Sequence, residues 1–154
     1  MDISLKLARM EDLSKIHKMQ QETFAGFTEK YHSNIANLEK EDLAETIKRF
    51  HRAGNSYYFI TKDDVPAGVI CTVTDMRQPM KHLSLLWVQP EYQRQGLGQK
   101  AIELVERMYG KKNWTVNAIK QDKDAIRFYE NAGYKQTDDV KNINENLSVV
   151  LMSK

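Results

Sequence analysis

The stretch Trp87-Val88-Gln89-Pro90-Glu91-Tyr92-Gln93-Arg94-Gln95-Gly96-Leu97-Gly98-Gln99 decides how the rest of the chain is read. An apolar run ends at Val88, Pro90 breaks it, and two glycines stand where a helix begins that carries Ala101, Leu104, Val105 and Met108 on one face. A glycine loop feeding a helix lets several backbone N–H groups converge on one anion, and the helix dipole adds positive potential. A Cβ at these positions would hold phosphate oxygens away from the amides, and glutamine and arginine side chains can add donors. The physical reading is a phosphate or diphosphate site at a helix N-terminus. A Gly-x-Gly after a strand is also an ordinary tight turn, so the loop alone leaves both readings open. It is neither a P-loop, which needs Gly-x-x-x-x-Gly-Lys-Ser/Thr, nor a dinucleotide fingerprint, which needs a third glycine.

Working outward, Leu83 to Val88 is the most apolar run and predicts a central strand covered on both faces. Before it, Tyr57 to Thr61 and Val69 to Val73 read as strands of an antiparallel hairpin, joined by the turn signal Lys62-Asp63-Asp64-Val65-Pro66. Ile3, Leu5 and Leu7 alternate with polar residues as an opening strand does. Between Glu11 and Phe24, the residues Leu13, Ile16 and Met19 have helical spacing; Leu43, Ile47 and Phe50 mark a second helix that ends near Gly54. Ala25 to Glu39 carries no pattern and reads as a loop or broken helix.

Downstream, Gly110 closes the helix that follows the glycine loop, and Trp114 to Ile119 reads as a strand. Asp122 can cap a further helix whose Ala125, Phe128, Tyr129 and Ala132 lie on one face, with Gly133 at its C′ position. A polar loop then leads to a last strand, Leu147 to Met152. The order predicts an α/β (mixed α+β) fold: a mixed sheet with helices on both faces.

The composition excludes several classes. With 154 residues and 41% hydrophobic side chains, the expectation is one domain spanning 1–154. A formal net charge of +2, from 23 basic and 21 acidic residues, lacks the dense basic face of a nucleic-acid binder and the charge excess of a disordered chain. Cys71 is the only cysteine, which excludes an intrachain disulfide and a thiolate metal cluster. Met1 to Met10 alternates in polarity and lacks the apolar core of a signal peptide. No apolar run approaches the roughly 18 residues of a membrane span. The expectation is therefore a cytoplasmic protein without membrane, nucleic-acid or metal partners.

Two segments carry a family resemblance. Gln93-Arg94-Gln95-Gly96-Leu97-Gly98 resembles the Gln/Arg-x-x-Gly-x-Gly/Ala signature of the GNAT N-acetyltransferases, with Val88 to Tyr92 similar to its usual lead-in. About thirty residues further on, Ala125-Ile126-Arg127-Phe128-Tyr129-Glu130-Asn131-Ala132-Gly133-Tyr134 resembles that family's second signature. Ile3 to Ile16 is similar to its opening strand and helix, so the resemblance spans nearly the whole chain.

The resemblance implies a twisted, mostly antiparallel sheet and acetyl transfer from acetyl-CoA to a primary amine, by direct attack in a ternary complex. It implies that Gln93, Arg94, Gln95, Gly96, Leu97, Gly98 and Gln99 receive the diphosphate. Trp87 and Val88 would offer main-chain contacts in a gap between strands, the Val88 N–H polarising the thioester carbonyl as an oxyanion-hole donor does. Asp122 and Phe128 would lie along the cofactor arm. Tyr129 matches the general acid that protonates the departing thiolate, a task suited to a phenol with pKa near 10. The same tyrosine also belongs to the apolar stripe with Phe128 and Ala132.

Two positions depart from the family pattern. Asp122 stands where many members have asparagine, and an ionised aspartate cannot donate a hydrogen bond. Asn117 stands where some members place a glutamate base, and it cannot accept the amine proton. Glu22, His32, His51 and His82 are the remaining base candidates, each equally readable as an ordinary surface or core residue. Lys100, Arg127 and Lys135 could meet the 3′-phosphate of CoA or be plain helix charges. Cys71 reads as a buried small hydrophobe, and the charges from Glu39 to Glu45 as a solvated helix start. The acceptor, a small-molecule amine or a peptide or protein amine, would be shaped by Thr23 to Lys40, and homodimers are common among relatives. A non-catalytic CoA-binding module on the same fold is the rival reading.

Overall fold

The computed structural model describes residues 2–25 and 41–154. Most of the segment expected to shape the acceptor site, with His32, Glu39 and Lys40, lies outside the described residues.

Strand β1 (Ile3–Leu7) leads through a 3-10 turn (Met10–Asp12) into helix α1 (Leu13–Thr23), which buries Leu13, Ile16, Met19 and Gln20. Asp42 caps α2 (Leu43–Phe50) by accepting from Glu45 N at 2.9 Å. Strands β2 (Asn55–Lys62), β3 (Val65–Val73) and β4 (Lys81–Val88) follow, then a 3-10 turn (Pro90–Tyr92) and helix α3 (Leu97–Tyr109). Strand β5 (Trp114–Ile119), helix α4 (Lys123–Asn131) and strands β6 (Lys135–Asn144) and β7 (Leu147–Ser153) complete the order.

The seven strands form one sheet in the order β1-β2-β3-β4-β5-β7-β6. Every neighbouring pair is antiparallel except β4 and β5. Side chains of α3 and α4 pack on one face around Leu97, Ala101, Val105 and Ile126, together with Trp114, Val116 and Val150 of the strands. Leu13, Ile16 and Met19 of α1, flanked by Leu43, Ile47 and Phe50 of α2, cover Phe59, Val69, Leu85 and Trp87 on the other. Helices on both faces and the mixed, mostly antiparallel sheet match the expectation from sequence.

The β4–β5 junction positions the site. Their parallel pairing runs only through Lys81–Trp114, His82–Thr115 and Leu83–Val116. On the other side of β4, Cys71 pairs with Leu85 and Thr72 with Leu83, so Ser84 is an extra, unpaired residue. A bulge bends its strand and increases the local twist. The bend falls where β5 is left behind, and the two strands diverge from there.

Four expectations are corrected. The polar stretch before Leu147 is a strand, β6, and not a loop. It is the edge of the sheet, with only Thr137 and Ile143 even partly covered, so it has no apolar face to produce alternation. β4 is central but not buried on both faces: Leu83, Leu85 and Trp87 are buried, Ser84 is exposed, and Leu86 and Val88 are half-covered where β5 has diverged. The hairpin turn contracts to Asp63 and Asp64, both at positive φ (50° and 67°), and Val65 and Pro66 already pair within β3. The charged start of α2 is not wholly solvated, because Glu41 is buried. Its carboxylate takes Gln20 Nε2 at 3.1 Å, Thr46 Oγ1 at 3.3 Å and the Arg49 guanidinium at 3.0 Å. A buried carboxylate needs such partners, because desolvating it alone is costly.

Candidate active site

Where β4 and β5 part, a cavity of about 500 Å³ opens, lined by residues 83–86 of β4, residues 116–119 of β5, Asp122, Ala125 and Tyr129 of the α4 end, Val149 and Phe24. Tyr129 is held there by its helix and by edge-on contacts with Phe128 (centroids 5.1 Å apart) and Tyr134 (5.8 Å). Burial, with the nearby Asp122 carboxylate adding, pushes its phenol up to about 12, so it stays protonated at any ordinary pH. Among the described residues, no group hydrogen-bonds the Tyr129 hydroxyl.

Asp122 lines the same cavity and caps α4, its Oδ1 accepting from Ala125 N at 3.1 Å. Asn117 also borders it, from an exposed position on β5. Phe128 stands apart from the cavity lining, against α3.

The glycine loop lies at the diverging end of β4. Gly96 caps α3 in the left-handed region (φ 83°), and Arg94 adopts φ 64° just before it. A Cβ on Gly96 would meet nothing within 4 Å, so here the backbone conformation is what favours glycine. Gly98 is constrained differently. A Cβ there would lie 2.8 and 2.9 Å from the Phe128 ring, so its bareness allows α3 and α4 to approach. Gln99 ties the same two helices, donating Nε2 to Phe128 O at 2.8 Å. Leu97 is buried beneath the helix start. Helix α3 has no side-chain cap and no acidic residue in its first turn. The first N–H groups of a helix have no partner within it, and the positive end of α3 faces no carboxylate of its own first turn.

The backbone at the end of β4 is oriented by its pairing. Gln89 donates its N–H to Ala67 O of β3 at 2.8 Å. Strand alternation therefore turns the N–H and C=O of Val88 the other way, to the side where β5 no longer pairs. The Val88 carbonyl accepts from Gln93 Nε2 at 2.8 Å. Trp87 points its side chain into the core beneath α1, and strand alternation turns its main chain toward Val69 of β3, so the expected main-chain contact at Trp87 is not offered to the gap; its Nε1 has no partner among the described residues. Gln95 donates Nε2 to Glu91 O at 3.4 Å, and its Oε1 accepts from Lys62 Nζ at 2.5 Å.

The other sequence candidates fall elsewhere. Glu22 is exposed on α1, and His51 ends α2 against Phe50. His82 sits at the paired end of β4, bonded to Thr115 Oγ1 at 2.8 Å, and burial lowers its pKa. Asp122 is the one carboxylate that lines the cavity among the described residues. Lys100 is paired with Glu103 at 3.6 Å, Arg127 borders a separate depression on α4, and Lys135 is exposed on β6. Cys71 is buried in β3, its thiol pushed up by desolvation. Among the described residues, no three His, Cys, Asp or Glu side chains group as metal ligands do, and no helix is long and apolar enough to cross a membrane. Phe24 and Ser84 line the cavity and were not legible as site residues. Only the folded sheet brings Lys62 to a loop 33 positions away.

The arrangement fits an elongated diphosphate-bearing thioester: a bare helix end for the anion, an opened strand pair for an extended arm, and a protonated phenol inside the opening. The chain is similar to known proteins in sequence and in fold. The sequence pattern of the acetyltransferase (GNAT) domain family matches residues 15–154. A peptidyl-lysine N-acetyltransferase, YjaB, of Salmonella typhimurium is 24% identical over 106 residues, covering 69% of this chain and 68% of that protein. The structure of the PaiA N-acetyltransferase from Thermoplasma acidophilum in complex with coenzyme A superposes with a TM-score of 0.68 at 19% identity, over 100% of both chains. A ribosomal-protein-alanine N-acetyltransferase from Escherichia coli gives a TM-score of 0.75 at 16% identity, over 98% of this chain and 92% of that one.

Proposed function

The chain belongs to the GNAT acetyltransferase family, and from that premise we propose that it transfers the acetyl group of acetyl-CoA to a primary amine by direct attack in a ternary complex. One observation carries the reading: the bare α3 N-terminus, the parted β4–β5 pair and Tyr129 meet at one end of the sheet. When bound, acetyl-CoA supplies an acetyl group already activated as a thioester.

The residues divide the work. The amides of the Gln93–Gln99 loop receive the diphosphate at the positive end of α3. At the end of β4 the main chain of Val88 turns outward, to the side where β5 no longer pairs, its carbonyl held by Gln93, while that of Trp87 faces β3. The Val88 N–H is a fixed donor aimed where negative charge develops on the carbonyl oxygen, and a preorganised donor of this kind lowers the barrier without reorganising. Tyr129, protonated when the amine attacks, gives its proton to the sulfur as the C–S bond breaks and regains one from the proton the amine releases. Asp122 holds the start of α4, and so Tyr129, in place. Asn117 cannot take the amine proton, so the amine attacks in its neutral form or loses its proton through water.

A panel of amines assayed by release of free CoA thiol tests the reading. Free amino acids, polyamines, peptide N-termini and lysine peptides belong in it, the last because a relative is a peptidyl-lysine N-acetyltransferase. At least one amine must release thiol above the hydrolysis background, and Tyr129→Phe must suppress that release. The second reading, a CoA-binding module without turnover, is favoured by Asn117 and by a cavity whose only carboxylate among the described residues also serves as a helix cap. Saturable acetyl-CoA binding with no thiol release across the panel would select it.

A further inference from the structure

We propose that Lys62, at the end of β2, is a donor-binding residue whose ammonium engages the diphosphate of acetyl-CoA beside the glycine loop. The assignment rests on the acetyl-CoA reading above. The turn after Lys62 is tight, with Asp63 and Asp64 both at positive φ. It is fastened to the start of β1, since Asp63 N donates to Asp2 O at 2.7 Å and Asp2 N to Asp63 Oδ1 at 2.9 Å. Lys62 is therefore launched from a fixed backbone position, and its half-buried side chain reaches the loop. Nζ lies 2.5 Å from Gln95 Oε1 and 5.9 Å from the centre of the Tyr92 ring.

This cation is held beside the glycine loop, and its partners there, a carboxamide oxygen and an aromatic ring, are neutral. Lys100 and Arg107 share Glu103, Lys154 holds Glu106, and Arg49 holds Glu41. No ion pair among the described residues includes Lys62, although two aspartates follow it in sequence. One of them, Asp63, has its Oδ1 turned to the Asp2 amide. A cation held by a neutral carboxamide oxygen and an aromatic face keeps its reach for an anion. A phosphate oxygen bound in place of the Gln95 oxygen would trade a neutral acceptor for a charged one, which strengthens the bond. The nearby α3 start carries no acid in its first turn, so the arriving diphosphate meets two positive sources and no competing carboxylate from either.

Calorimetric titration with CoA and with dephospho-CoA, on the native protein, Lys62→Met and Lys62→Arg, tests the assignment. Met keeps the apolar stem and removes the charge. Its Kd for CoA should rise about tenfold, the scale of one charge-assisted bond at a half-buried site. Dephospho-CoA should lose affinity by the same factor, Lys62→Arg should recover most of it, and the salt dependence of binding should be shallower in Lys62→Met. A change under twofold would overturn the proposal. So would a loss with unchanged salt dependence, which marks a mere staple of the loop, or a loss confined to CoA, which places Lys62 at the 3′-phosphate. A native protein that binds no CoA takes down the acetyltransferase reading itself and this assignment with it.

Discussion

Helices α3 and α4 begin in opposite ways. Helix α4 starts as local stability rules prefer, with Asp122 bonded to its third residue and Asp124 in its first turn; α2 does the same with Asp42 and Glu45. Such a cap is worth about 1 kcal/mol, and an acid in the first turn adds a few tenths. Helix α3 forgoes both, starting from a left-handed glycine. It is held instead by burial of Leu97, Ala101, Ile102 and Val105. Helix α1 also lacks a side-chain cap and a first-turn acid, but only the α3 start follows a glycine loop beside the parted strands, and the proposed function places the external anion there. The proposed proton donor, Tyr129, rides on the capped helix.

That contrast can be broken most severely at Tyr129. Tyr129→Phe should lower turnover by about 10²-fold or more, the usual scale of one proton-transfer group, while the Kd for acetyl-CoA changes less than twofold. Steady-state kinetics beside calorimetry separate the two, and equal losses in both would make Tyr129 a packing residue. Next is Gly98→Val, which drives a branched side chain into Phe128 and pries α3 from α4. It should cost about 1–3 kcal/mol in a urea titration and weaken CoA binding with it.

Gly96→Val sharpens the comparison because nothing stands near its Cβ. Only the left-handed backbone is strained, by about 1–2 kcal/mol, so CoA affinity should fall more than stability does. A smaller effect is expected at the capped end. Asp122→Ala should destabilise by about 1 kcal/mol, and Asp122→Asn by far less, since asparagine caps as well. Either change removes the charge that helps raise the Tyr129 phenol, so that phenol should titrate below its native value near 12. The sign of the linkage follows. A raised phenol stabilises the fold below pH ~10 and loses that contribution as pH climbs toward about 12. Tyr129→Phe should therefore flatten the fall in stability across that window, measured by urea unfolding at stepped pH.

The same distinction explains what could be read in advance. The glycine loop, the Asp122 cap and the Phe128–Tyr129 stripe announce themselves because turns, caps and helical faces are local codes. Strand β6 did not, since an edge strand with both faces wet carries no period. Ser84 did not, because a bulge is defined by pairing with Cys71 and Leu85, not by its own residue type. Glu41 lay within a charged run and became a buried carboxylate only through Gln20, Thr46 and Arg49. Lys62 met the loop only through the order of strands in the sheet. Local chemistry was legible, whereas contacts made by the sheet were not.

The central claim, that the bare start of α3 and the parted strands receive acetyl-CoA, is tested most directly by calorimetric titration of the folded native protein with acetyl-CoA. Saturable binding near one site per chain is the expected result. A folded sample that gives no binding heat and shows no shift in unfolding midpoint at millimolar acetyl-CoA would contradict it, leaving Gly96 and Gly98 as parts of a turn.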